Sequence, residues 1–227
     1  MQVTKFHLTL HDSLYYATRE MGRLYETESV IHNWALTYAL GLIQKPYRAF
    51  DSVPTYKEDL AEINEAGVYV TPAKSIRYDY VISTFKLADN RHRPFSTVSN
   101  ARKKALGITV TNKPSFGRAK ELAPESKFEF YIVGALPNRL PKWIRLGLWM
   151  SKAYIEVKKE LFLTPKQGDF TCKHLLNPID LPILPELYDL ISMPPVSLLQ
   201  NARFNGAYVE FDDVCLPVSM AYFAGAT

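Results

Sequence analysis

Apolar residues recur at every second position in several separate stretches of this chain, and that period commits it to a fold built on a sheet. Phe6, Leu8 and Leu10 alternate with Lys5, His7 and Thr9. Successive side chains of a strand point to opposite faces, so each set lines one face. Ile76, Tyr78, Tyr80 and Ile82 alternate with Arg77, Asp79, Val81 and Ser83, which predicts a second strand, with a partner around Gly67 to Thr71. Phe128 to Ala135 reads as a third strand. A fourth has Ile155, Val157, Leu161 and Leu163 alternating with Tyr154, Glu156, Lys158 and Glu160.

Half-buried strands need cover, and two segments carry it. Val30, Ile31, Trp34, Ala35, Tyr38, Ala39 and Leu42 form one helical stripe, with Thr27 or Ser29 able to cap its start and Pro46 ending it. Pro141 suits the first position of a second helix over Lys142 to Met150, apolar through Trp143, Ile144, Leu146, Leu148 and Trp149. The order strand, helix, strand, long insertion, strand, helix, strand is that of an α+β, ferredoxin-like βαββαβ core, the topology of RRM-type RNA binders. Beyond Gly168 the chain is broken by Pro178, Pro182, Pro185, Pro194, Pro195 and Pro217, which predicts an irregular, β-rich part with short strands, one around Tyr208 to Phe211. At 227 residues and 47% hydrophobic content, residues 1–227 make a single domain.

Charge is unevenly placed. The net charge is only +4, yet nine of the 27 Lys and Arg residues, and only one acid, Asp89, lie between Lys86 and Lys120. Those cations are Lys86, Arg91, Arg93, Arg102, Lys103, Lys104, Lys113, Arg118 and Lys120. A basic field on a mildly acidic body is the footprint of polyanion binding, the plainer alternative being a solvated basic loop. The segment has little periodicity and reads as an excursion from the fold, residues 86–125. A second distinctive stretch, Leu14 to Glu28, holds Tyr15, Tyr16, Tyr25, Arg19, Arg23 and Gly22 between a strand and a helix. Tyr rings stack on unpaired bases and Arg reaches phosphate, although such a loop can also be packed by its own aromatics.

Other chemistry finds little support. His7 and His11 are four apart but have no third ligand of the right kind nearby. There is no GxxxxGK[ST], GxGxxG or GxSxG run. No metal, cofactor or nucleotide hydrolysis is expected. Cys172 and Cys215 lie far apart in no CxxC, and no secretory leader or membrane-length apolar run is seen, which predicts a cytoplasmic protein with no membrane partner. Metal-free RNA cleavage needs a base, an acid and a cation; His92 between Arg91 and Arg93, with Tyr16 and His32, supplies those residue types.

The run Thr9-Leu10-His11-Asp12-Ser13-Leu14-Tyr15-Tyr16-Ala17-Thr18-Arg19-Glu20-Met21-Gly22-Arg23-Leu24-Tyr25, continued by His32-Asn33-Trp34-Ala35, resembles the start of the type I-D variant of the Cas proteins that cap the 5′ handle of CRISPR RNA. These belong to the RAMP superfamily, built on RRM-like folds. Lys142 to Lys152 is similar to the "IRLGK" run of such proteins, with Leu148 where that pattern often has Lys. The resemblance implies a non-catalytic, crRNA-binding subunit of a type I-D surveillance complex (Cascade). Such a subunit holds the 5′ handle and contacts backbone subunits and the large subunit, with target DNA nearby. It makes the basic excursion the candidate thumb. Tyr16, Arg19 and Arg23, together with Lys142, Arg145 and Lys152, are the candidate handle contacts. The alternative it offers is a metal-independent RAMP endoribonuclease that processes repeat RNA.

Overall fold

A computed structural model describes residues 1–43, 55–87, Ala105, 115–137 and 139–225. The chain is mixed α+β and dominated by strands. Its central sheet is ordered β10 (Trp143–Leu146), β11 (Ser151–Phe162), β1 (Gln2–Leu10), β9 (Lys127–Val133), β6 (Ala73–Arg77) and β4 (Val30–Ile31), with β5 (Tyr69–Val70) pairing on β9. All of these pairs are antiparallel. β1 lies between β9 and β11 and shows the alternation read from its sequence: Phe6, Leu8 and Leu10 are buried, and the Phe6 ring stacks on Phe130 at 5.1 Å.

The first helix, α1 (Asn33–Ala39), begins later than Thr27 or Ser29. Val30 and Ile31 are β-branched and pair with β6 instead. His32 then takes an extended conformation, and its Nδ1 accepts the Trp34 N–H at 3.2 Å, capping the helix. Pro46, the expected stop, lies outside the described residues. A further helix, α2 (Tyr56–Glu65), was not expected. Leu60 and Ile63 bury its inner face, and Glu58 and Asp59 sit in its first turn, where the helix dipole favours acids.

The second predicted helix is a correction. Lys142 to Met150 forms strand β10 and a tight turn. Ile144 and Leu146 point inward while Trp143 and Arg145 point out, a period of two. Gly147 at φ +75° and Met150 at φ +55° then reverse the chain into β11. Among the described residues no helix stands between β9 and β11, so the second helix of the expected βαββαβ pattern is not found there.

The second predicted strand also divides. Its first part is β6; after Tyr78 and Asp79 the chain leaves for another sheet as β7 (Tyr80–Leu87). Ile76, Tyr78 and Ile82, expected inward, are exposed. The Gly67 to Thr71 segment supplies β5, which pairs with β9 rather than with this strand. β7 pairs with β8 (Ser115–Leu122), and β8 runs parallel to β3 (Leu24–Glu26), itself paired with β2 (Arg19–Met21).

The Pro-rich C-terminal part is more regular than expected. β14 (Leu198–Phe211) spans 14 residues and pairs with β12 (Lys166–Cys172), β13 (Leu187–Ile191) and β15 (Val214–Pro217). The prolines from Pro178 to Pro195 all precede it and leave its ladder intact. The final segment returns beneath α1, where Phe223 stacks on Trp34 at 4.9 Å. Among the described residues no helix is long and apolar enough to cross a membrane.

Candidate nucleic-acid interface

The β10–β11 hairpin sets Arg145 opposite Lys152 and Trp143 opposite Tyr154. Because β10 is an edge strand, its outward residues stay open: Trp143 is 44% exposed. Its ring meets the His11 ring edge-on at 4.7 Å and lies 5.0 Å from Tyr154, and Lys152 Nζ sits 4.1 Å above it. Asp12 ties the hairpin to the N-terminal loop. Its Oδ2 accepts the Lys152 backbone N–H at 2.9 Å and lies 3.9 Å from Arg145, whose Nη1 also donates to the Met150 carbonyl at 3.1 Å. Lys142 is exposed at the start of this strand, and its carbonyl accepts the Ile155 N–H at 2.8 Å.

Gly147 brings the hairpin turn against the N-terminal loop. A Cβ there would lie 2.6 Å from the Tyr15 carbonyl oxygen and 2.7 Å from Leu14 Cδ1. The Leu148 N–H donates to Tyr15 O at 2.9 Å, and Tyr15 packs on Trp149 at 4.5 Å. Beside the turn runs a groove of about 970 Å³, lined by Tyr16, Trp34, Tyr38, Trp143, Arg145 and Pro194 among others.

Tyr16 forms part of that wall and packs against the core. Thr27 Oγ1 accepts its N–H at 3.0 Å and donates to its carbonyl at 2.8 Å. Burial pushes its hydroxyl up to about 12, with a backbone hydrogen bond at Gly147 acting the other way. His32 is buried as the α1 cap, and desolvation holds its imidazole down to about 4. His92 lies outside the described residues.

From this loop the chain passes to the second basic surface. Leu14 and Leu122 exchange backbone hydrogen bonds of 2.9 and 3.0 Å, tying the loop to β8. The parallel β3–β8 pair places Arg118 opposite Leu24 and Lys120 opposite Glu26. Arg118 is exposed, and its backbone N–H donates to Arg23 O at 2.7 Å. Lys120 Nζ lies 3.3 Å from Glu26 and 4.2 Å above the Tyr80 ring. Arg19 pairs with Glu28 at 3.2 Å and Glu26 at 3.9 Å, and Arg23 covers the Phe116 ring at 5.2 Å.

The structure thus links the Tyr16, Arg19 and Arg23 loop to both the Lys142, Arg145 and Lys152 cluster and the Arg118 and Lys120 strand. Arg91, Arg93, Arg102, Lys103, Lys104 and Lys113 lie outside the described residues. Sequence reading missed the aromatic partners of the cations, Trp143, Tyr154 and His11. The available signal was the two-residue spacing of Trp143 and Arg145, which fits one face of a strand. Among the described residues no group of three or more His, Cys, Asp or Glu side chains is placed to hold a metal ion.

A search of curated proteins finds no match. Among solved structures the chain is similar to one in the cryo-EM structure of the type III-B Cmr-beta complex bound to cognate target RNA and AMPPnP. The match has 10% identity and a TM-score of 0.43, covering 90% of this chain and 85% of that one. The family model described as type I-D CRISPR-associated protein Cas5/Csc1 matches residues 1–225, so this chain belongs to that family.

Proposed function

We propose that this protein is a non-catalytic RNA-binding subunit of a type I-D CRISPR effector complex, where it holds the 5′ handle of crRNA and bridges backbone and large subunits. Family membership supports the setting. The observation that carries the RNA reading is the β10–β11 surface, where an exposed Trp143 stands between His11 and Tyr154 with Lys152 and Arg145 beside it. Rings on which unpaired bases stack, flanked by cations for the backbone, are what single-stranded RNA recognition requires. In such a division of labour guide–target pairing reads sequence, and the protein grips backbone and shape.

The test is a tagged pull-down from cells carrying the whole CRISPR locus, with sequencing of retained RNA. Short RNAs sharing one repeat-derived 5′ end, accompanied by backbone and large subunits, are expected. Arg145→Glu with Lys152→Glu should lower their yield. A protein recovered without RNA or partners would overturn the reading. Purified protein incubated with end-labelled repeat RNA in EDTA should leave it intact; discrete cleavage would establish the nuclease alternative.

A further inference from the structure

β12 and β13, which flank β14 in the C-terminal sheet, are unlike each other. β12 begins with Lys166, Gln167, Gly168 and Asp169, polar or unpackable residues of the kind that blunt an edge. β13 and its approach read Ile183-Leu184-Pro185-Glu186-Leu187-Tyr188-Asp189-Leu190-Ile191. Ile183, Leu184, Leu187 and Leu190 are 59–69% exposed and Tyr188 is 47% exposed. On one side β13 pairs with β14; on the other it pairs with no described strand. The register with β14 shifts once, between Leu187 and Asp189, and Asp189 Oδ2 there accepts Asn201 Nδ2 at 2.7 Å.

We infer that β13 is a docking edge for an extended segment of a partner protein that carries alternating apolar and basic residues. Three features select that occupant. An open strand edge offers N–H and C=O groups at the spacing only another strand satisfies. Tyr188 and Leu190, two residues apart, are both exposed, so the incoming strand must offer apolar side chains at every second position. The strand and its approach carry Glu186 and Asp189 and no Lys or Arg; with Arg203 of β14 paired beside Leu187 the edge stays net acidic, which disfavours a polyanion and favours cations. A second copy of the same strand would bring like carboxylates together, which disfavours self-pairing. The surface is independent of the RNA reading, since none of its residues belongs to the β10–β11 or β3–β8 basic surfaces.

The experiment uses the full chain and two synthetic peptides of about eight residues, a typical strand length, one alternating Val with Lys and one alternating Val with Glu. Fluorescence anisotropy should show the Val–Lys peptide binding at least about tenfold more tightly. Hydrogen exchange should show protection at Leu187 to Ile191. Leu190→Lys, at a position 60% exposed, should abolish both while leaving repeat-RNA affinity unchanged. Equal binding of the two peptides, no binding, or protection elsewhere would overturn the inference. So would a dimer in sedimentation that Leu190→Lys dissolves, which would put a second copy on this edge. Loss of RNA affinity in Leu190→Lys would give the edge to RNA and overturn it as well.

Discussion

Asn33 and Asp180 meet inside the protein, with Asn33 Nδ2 donating to Asp180 Oδ2 at 2.7 Å. The same carboxylate accepts the Tyr69 hydroxyl at 3.1 Å, and its Oδ1 accepts the Phe223 N–H at 3.0 Å. Asn33 Oδ1 accepts Asn177 Nδ2 at 3.2 Å. One buried cluster therefore joins the start of α1, β5 and the C-terminal segment at Phe223. Asn33→Ala strips the carboxylate of a donor in a place water does not reach. It should cost about 2–3 kcal/mol, read as a lower urea midpoint at unchanged slope. A shift within error would mean the cluster is not cohesive.

Stability should fall as pH drops below neutrality, chiefly because of two histidines. His174 Nε2 donates to Pro72 O at 2.9 Å inside the core, and burial holds its pKa down to about 3; His32 is held down to about 4 by the same cause. Both folded values lie below the unfolded value of about 6.5. Their contribution is complete above that pH and is lost progressively as pH falls toward the folded values. Asp180 acts oppositely: desolvation raises its carboxyl to about 6, so its ionisation penalty fades as pH drops from about 6 toward its unfolded value. The histidine shifts are larger, so the net slope is downward. Urea midpoints between pH 7.5 and 4.5 should show it, and His174→Gln should flatten it below pH 6.5. An unchanged slope in that variant would assign the acid limb elsewhere.

Gly147→Ala tests the turn that joins the hairpin to the loop. The φ of +75° costs an alanine about 1–2 kcal/mol, and the added Cβ would overlap the Tyr15 carbonyl. The variant should fold less stably, exchange faster at the Leu148 amide and bind repeat RNA more weakly. RNA affinity untouched in a folded variant would detach the turn from the interface.

Trp143→Ala should leave the fold intact, since the ring is nearly half exposed. Loss of one stacked base is worth about 1–3 kcal/mol, so filter binding should show affinity for single-stranded repeat RNA falling at least about fivefold. Lys152→Ala and Arg145→Ala should each also reduce the salt dependence of that affinity, by about 0.7 in the log–log slope for each phosphate no longer neutralised. Equal affinity in all three variants would exclude this surface.

Where one rule governed a segment, sequence reading and structure agree. From Lys5 to Leu10 β1 alternates, with Phe6, Leu8 and Leu10 buried, so period alone placed it. Lys142 to Met150 met two rules at once: Trp143, Ile144, Leu146 and Trp149 fit a helical spacing, while Ile144 and Leu146 also fit a strand. The deciding features are the left-handed residues Gly147 and Met150 and the pairing with β11, neither of which a one-dimensional pattern exposes. Residues 76–82 alternate in sequence, but the chain changes sheets midway and all of them except Tyr80 are exposed, a tertiary event with no local signal. α2 offered only Leu60 and Ile63 as inward positions, too few to stand out. The basic residues of the site were visible as residue types. Their grouping was not, because Asp12, Trp143 and Tyr154 come together only through strand register.

Leu87 and Ser115 are paired across the last rung of β7 and β8. Chain leaving that rung therefore returns to it, whatever lies between. Closing a longer or shorter excursion changes the entropic cost only slowly, by about 0.6 kcal/mol per doubling. The rung thus makes the intervening stretch a replaceable cassette. A change in its length would leave the pairing of the central sheet and its core undisturbed.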